Sequence, residues 1–160
     1  MIGIWDIIKV IFPAAIAYTM PLLMGALGGL YSERSGVTNL CIEGLMLFGC
    51  FASAAAIVKL QAAGVGFTLS IVIGIVVAMV ASMALSYLHA LASINLKADQ
   101  TISGTAINML STALTMFLAQ TITGSGNITI VRGIIRSDIP LLSSIPVLGP
   151  LFFSQTYWTT

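Results

Sequence analysis

Residues 10–32 read VIFPAAIAYTMPLLMGALGGLYS, without a single charged side chain. About 20 consecutive apolar residues carry a helix across a hydrocarbon core of about 30 Å, so residues 10–31 are expected to span a membrane. Lys9 opens the run, with a stem long enough to reach the interface, and Ser32, Glu33 and Arg34 close it. Pro13 and Pro21 lie inside it and predict kinks, tolerable in a bundle because neighbouring helices can satisfy the freed carbonyls. The run is too long, and too poor in preceding bases, for a secretory signal peptide, and no small-x-small cleavage site is evident.

The rest of the chain is of the same kind. Charged residues make up 7% and hydrophobic residues 58% of the 160, with a mean hydropathy of +1.07. A soluble domain carries roughly 25% charged residues. Too little polar surface exists to cover a water-soluble core. Lipid is the expected surrounding, and nucleic acid is not an expected partner.

Three further spans follow. Residues 44–58 are uncharged but, at about 22 Å as helix, too short to cross. The second span is therefore expected over 37–58, borrowing from the polar residues before Gly44 or broken among them. After a turn at 61–66, residues 67–88 form the third. Residues 101–123 form the fourth, stopped by Gly124, Ser125 and Gly126. Pro140, Pro146 and Pro150 then punctuate a stretch too proline-rich to be helical, so 124–150 reads as an extramembrane loop. Tyr157 and Trp158 resemble an interfacial aromatic belt. The expectation is an all-α, polytopic transmembrane bundle of about four spanning helices, a single domain over 1–160, with a broken segment near 32–44 and a Pro-rich loop towards the C-terminal end.

Small residues recur along the spans. Gly25 and Gly29 form one pair; Ser70, Gly74, Ala78, Ser82, Ser86 and Ala90 recur every four residues along the third span; Ser103, Ile107, Ser111, Thr115 and Ala119 make a mostly small stripe on the fourth. Such stripes let backbones approach where lipid supplies no hydrophobic drive. Gly25, Gly29, Gly74, Ala78 and Ser82 are expected to pack helix on helix. Leu85, off the stripe, is expected to tolerate enlargement better than Ala78 or Ser82.

Little in the chain suggests covalent chemistry. Cys41 and Cys50 have no metal-ligand spacing and read as buried, inert thiols. His89 is the single histidine, whereas a membrane haem needs matched axial ligands. No phosphate loop, nucleophile–base pair or carboxylate pair appears. No metal and no cofactor are expected, and the chain does not read as an enzyme.

The informative stretch is 32–49, SERSGVTNLCIEGLMLFG, where polar and small residues interrupt a span. Asn39 and Glu43 are four apart and would share a helix face. Were the helix to begin at Val37, Glu43 would lie about 9 Å in. Intramembrane acids are rare and face bundle interiors or watery cavities, and broken helices mark binding regions in transporters. Equally, Glu43 could sit at the interface and cap a helix starting near Gly44. Both readings stand at this point.

Residues 27–40, LGGLYSERSGVTNL, followed by IEGLML at 42–47, resemble the permease subunits of bacterial ABC importers for nucleosides and simple sugars, in the broader ribose and branched-chain amino acid permease group. KADQTISG at 97–104, running on through Asn108 to Thr115, and IPVLGPLFFSQ at 145–155 are similar to that family in the same order. Cys41 stands where the family usually shows glycine. Family members run to roughly twice this length, and nothing here matches the segment of their second half that docks on the ATPase. The resemblance therefore implies the N-terminal half of a permease.

It also implies a multi-pass protein of the bacterial cell (inner) membrane that forms a translocation pathway for a nucleoside or simple sugar. Its implied partners are a separate ATP-binding cassette subunit that hydrolyses ATP, a second permease subunit and an extracytoplasmic substrate-binding protein. Asn39, Glu43, Gln100 and Asn108 become candidates for lining the path. The charges disagree about topology. Lys9, Lys59, Arg132 and Arg136 fall on one face against Arg34 and Lys97 on the other, which puts the Pro-rich loop inside. The resemblance puts it outside and is preferred over a tally of so few charges. The alternative is a small stand-alone four-helix carrier or membrane anchor with Glu43 as an ion or proton site.

Overall fold

The computed structural model of the chain describes residues 3–130. They are all-helical: α1 (Ile4–Arg34), α2 (Ile42–Ala62), α3 (Phe67–Ala90), a π-helical turn at Leu91–Asn95 and α4 (Gln100–Thr123). All four α-helices are long and apolar enough to cross a membrane. The Pro-rich part of the expected loop and the aromatic pair Tyr157 and Trp158 lie outside the described residues. The described residues fall into two units, residues 3–26 and residues 27–130. The first carries most of α1, which runs unbroken through Pro13 and Pro21, and near its start Lys9 lies 5.6 Å over the Trp5 ring.

Within residues 27–130 the helix ends follow local backbone chemistry. At the end of α1, Gly36 adopts φ +87°, Val37 N–H donates to Ser32 O (3.3 Å) and Gly36 N–H to Glu33 O (3.0 Å). The same paired closure ends α2: Gly64 at φ +78°, Val65 N–H to Leu60 O (3.0 Å), Gly64 N–H to Gln61 O (3.1 Å). Both are Schellman caps, which need a left-handed residue and so favour glycine. α4 opens on Asp99, whose Oδ1 accepts from Thr101 N–H (2.8 Å) and Ile102 N–H (3.1 Å), and closes on left-handed Gly124.

The second span starts later than the sequence suggests. Residues 37–41 are not helical, and α2 begins at Ile42. It reaches length by running on to Ala62, which gives about 31 Å.

α2 is the centre of this unit. Along its contact with α3 small residues face large ones: a Cβ on Gly74 would lie 2.6 Å from Ile57 Cγ1, and one on Gly49 would collide with the Ser82 hydroxyl. Ser82 donates to Leu45 O across the interface (3.0 Å), and the Ala78 carbonyl lies against Gly49. At α1 a Cβ on Gly29 would stand 2.9 Å from Ile42 Cδ1; Gly25, in the other unit, is half-buried.

Two expectations fail here. Leu85 is only 6% exposed, because it lies beside the small stripe on the same inward arc of α3. Cys50 is exposed, on a side of α2 turned away from α3, while Cys41 is fully buried.

Polarity is inverted relative to a water-soluble fold. Ser70, His89, Ser93, Ser111 and Thr115 are buried, while Met83, Met109, Met116 and Phe117 are exposed. With lipid as solvent large apolar side chains can face outward, and small and hydroxyl residues share the interior with Ile57, Ile71, Leu85 and Ile107. His89 Nδ1 meets Ser103 Oγ at 3.1 Å, tying α3 to α4; its Nε2, with the Ser93 and Ser111 hydroxyls, has no partner among the described residues.

Candidate functional site

The segment between α1 and α2 leaves backbone groups without helical partners. Side chains from the break and from α4 supply partners. Thr38 N–H donates to Gln100 Oε1 (2.7 Å), and Cys41 N–H to Asn39 Oδ1 (3.1 Å), which also accepts from Cys41 Sγ (2.8 Å). Ser32 Oγ donates to Val37 O (2.8 Å).

The start of α2 is capped from outside its own chain segment. Cys41 occupies the N-cap position and makes no side-chain cap bond. Instead Asn108 Oδ1 accepts from Gly44 N–H (2.8 Å), the third N–H of α2, while its Nδ2 donates to Leu40 O (2.9 Å). An N-cap side chain ordinarily takes the second or third N–H of its own helix; here the amide of α4 does it in trans. Gly104, one turn before Asn108, makes the approach possible, since a Cβ there would sit 2.9 Å from Leu40 Cβ. Gln100, Gly104 and Asn108 thus form one face of α4 laid against the break.

Glu43 stands apart from this network. It lies in the first turn of α2, where its charge complements the helix N-terminus, and it is exposed. It does not share a helix face with Asn39, which precedes the helix and spends its Oδ1 on Cys41. Glu43 makes no side-chain hydrogen bond among the described residues. It borders a groove of about 500 Å³ between α2 and α4, whose other walls include Leu47, Asn108, Met109, Thr112 and Met116. A second hollow, of about 440 Å³, shares Leu47, Thr112 and Met116 and continues past Cys50, Phe51 and Thr115 to Asn127. Together they make a furrow along both helices, acidic and amide-bearing at one end and apolar through its middle.

Of the four polar candidates, Glu43 and Asn108 border the groove, whereas Asn39 and Gln100 serve the backbone of the break. Sequence reasoning passed over Thr112 and Met116, although their spacing of four and eight from Asn108 puts them on its face of α4. Among the described residues no group of His, Cys, Asp and Glu is placed to hold a metal ion.

Four helices long and apolar enough to cross a membrane, with a groove between two of them, fit a multi-pass membrane protein. The chain belongs to the family of permease components of the branched-chain amino acid transport system, whose profile matches residues 12–152. It is 41% identical to the guanosine ABC transporter permease protein NupQ of Bacillus subtilis, over 97% of this chain and 48% of that protein. Against the nucleoside ABC transporter permease protein NupC of Lactococcus lactis it is 37% identical, over 93% and 46%. The putative glucose ABC transporter permease protein TsgC13 of Haloferax volcanii is 34% identical over 89% and 41%. The chain spans about half the length of the curated relatives it matches. No solved structure matches it.

Proposed function

We propose that this chain is the N-terminal half of the permease subunit of a bacterial ABC importer for nucleosides, one transmembrane domain embedded in the cell membrane. It performs no covalent chemistry. A separate ATP-binding cassette subunit supplies the energy, a second permease subunit completes the pathway, and an extracytoplasmic binding protein delivers the substrate. The observation that carries this reading is the near-complete match of the chain to two nucleoside permeases, with higher identity than to the putative glucose permease.

The groove is suited to such a cargo. A nucleoside presents ribose hydroxyls and an apolar base face. Glu43, Asn108 and Thr112 offer hydrogen-bonding groups at one end, and Leu47, Phe51 and Met116 a polarisable wall beyond. A pathway fed by a binding protein must hold its cargo weakly, so these groups tune passage more than they bind.

The test is uptake of labelled guanosine in cells carrying the transporter, against ribose and glucose. Guanosine uptake should disappear on deletion of this gene. In the same membranes Cys50 should react with an aqueous thiol reagent, and guanosine should slow that reaction. Uptake of glucose without guanosine would overturn the substrate class. Cys50 labelling indifferent to any transported substrate would remove the groove from the pathway.

A further inference from the structure

We propose that Gln100 and Asn108 are positioning residues, which fasten the α1–α2 break to α4 so that the two move as one body and Glu43 is held over the groove. The part played by Glu43 rests on the transport reading above; the clamp itself does not. The two amides lie eight residues apart on one face of α4, with Gly104 between them. They engage the break at both ends: Gln100 at Thr38, Asn108 at Leu40 and Gly44. Without them Thr38 N–H, Leu40 O and Gly44 N–H lose these partners, and the segment loses its ties to α4. Neither amide is left with the atom it spends here free of the backbone, so their first duty is to hold structure.

The bonding pattern sets a rule for substitution. Gln100 uses only its oxygen, as an acceptor. Gln100→Glu keeps that acceptor, whereas Gln100→Leu removes it. Asn108 uses both ends of its amide. Asn108→Asp therefore keeps the bond to Gly44 but turns a carboxylate oxygen towards the Leu40 carbonyl. Position 100 should accept an acid; position 108 should not.

Cys41 reports on the clamp. It has no exposed surface and sits between Asn39 and the start of α2. These 160 residues hold two cysteines, so Cys50→Ser leaves Cys41 as the one thiol among them, and labelling is read at Cys41 by peptide mapping. The experiment measures labelling of Cys41 by N-ethylmaleimide in membranes carrying the assembled transporter, together with the concentration dependence of guanosine uptake. Gln100→Leu and Asn108→Asp should speed labelling by about tenfold, the cost of one lost hydrogen bond between α4 and the break. Gln100→Glu should stay near the parent rate. Uptake should fall in maximal rate with little change in half-saturation.

Equal labelling of parent, Gln100→Leu and Asn108→Asp would overturn the clamp, whatever uptake does. Raised half-saturation with Cys41 still protected would make Asn108 a substrate contact instead. The expected labelling pattern in a transporter that ignores nucleosides would keep the clamp and reject the substrate class. If Asn108→Asp fails to accumulate, the Gln100→Leu and Gln100→Glu pair decides the matter alone.

Discussion

Gly44 and Asn108 require each other. The Gly44 N–H donates to Asn108 Oδ1 at 2.8 Å, and a Cβ on Gly44 would stand 2.7 Å from that oxygen and 2.9 Å from the Asn108 Cα. The first atom is the far end of a side chain; the second is backbone and cannot step aside. Gly44→Ala should therefore cost about 1–3 kcal/mol by overpacking. In the double variant with Asn108→Ala the cap is already lost, and the combined cost should be smaller than the sum of the two single costs. Thermal unfolding of the purified protein in detergent reads this, and strict additivity would deny the coupling.

The α2–α3 seam gives a contrast within one helix. Ser82→Leu and Ala78→Leu should each destabilise by about 1–3 kcal/mol, because Gly49 leaves Ser82 no room. Leu85→Phe joins them, since Leu85 is buried. Met83→Leu, at a position 72% exposed, should stay within about 0.5 kcal/mol. Similar losses at Ser82 and Met83 would mean the seam does not lie where these contacts put it.

Glu43→Gln tests the free carboxylate. Removing its charge from the first turn of α2 should cost no more than about 0.3–1 kcal/mol, leaving the protein folded. Uptake per folded molecule should change. A variant that melts early yet transports at the parent rate would make Glu43 a structural residue.

His89 and Ser103 should respond unequally. Ser103→Ala strands His89 Nδ1 in addition to the Nε2 that already lacks a partner, and should cost about 1–3 kcal/mol. His89→Phe removes both nitrogens, keeps the ring, and leaves only a hydroxyl to be resatisfied, so its loss should be smaller. Detergent melting of the two variants side by side would show the reverse order if the imidazole has another use.

Much of the architecture is legible in composition and length, because a bilayer imposes one requirement on every span. Residues 10–31, 67–88 and 101–123 all fall inside observed helices for that reason. The break is legible as a run of polar and small residues, but its limits are not. Gly36 ends α1 by a local cap, whereas the start of α2 depends on Asn108, sixty-four residues further on, and no window of neighbouring residues contains that. Asn39 and Gln100 were visible as polar residues in an apolar chain; that they serve backbone groups follows only from what α4 is laid against. Leu85 was misjudged because a spacing of four describes the centre of a buried arc and not its width.

The inverted interior has a thermal consequence. The positive heat capacity of unfolding in soluble proteins comes from apolar surface newly exposed to water. When these helices part within a bilayer, Gly74, Ile57 and their neighbours meet acyl chains instead. Helix separation should then carry almost no heat-capacity change, and its free energy should vary nearly linearly with temperature. The domed stability curve of a water-soluble domain, with its cold-unfolding arm, has no counterpart in such a bundle.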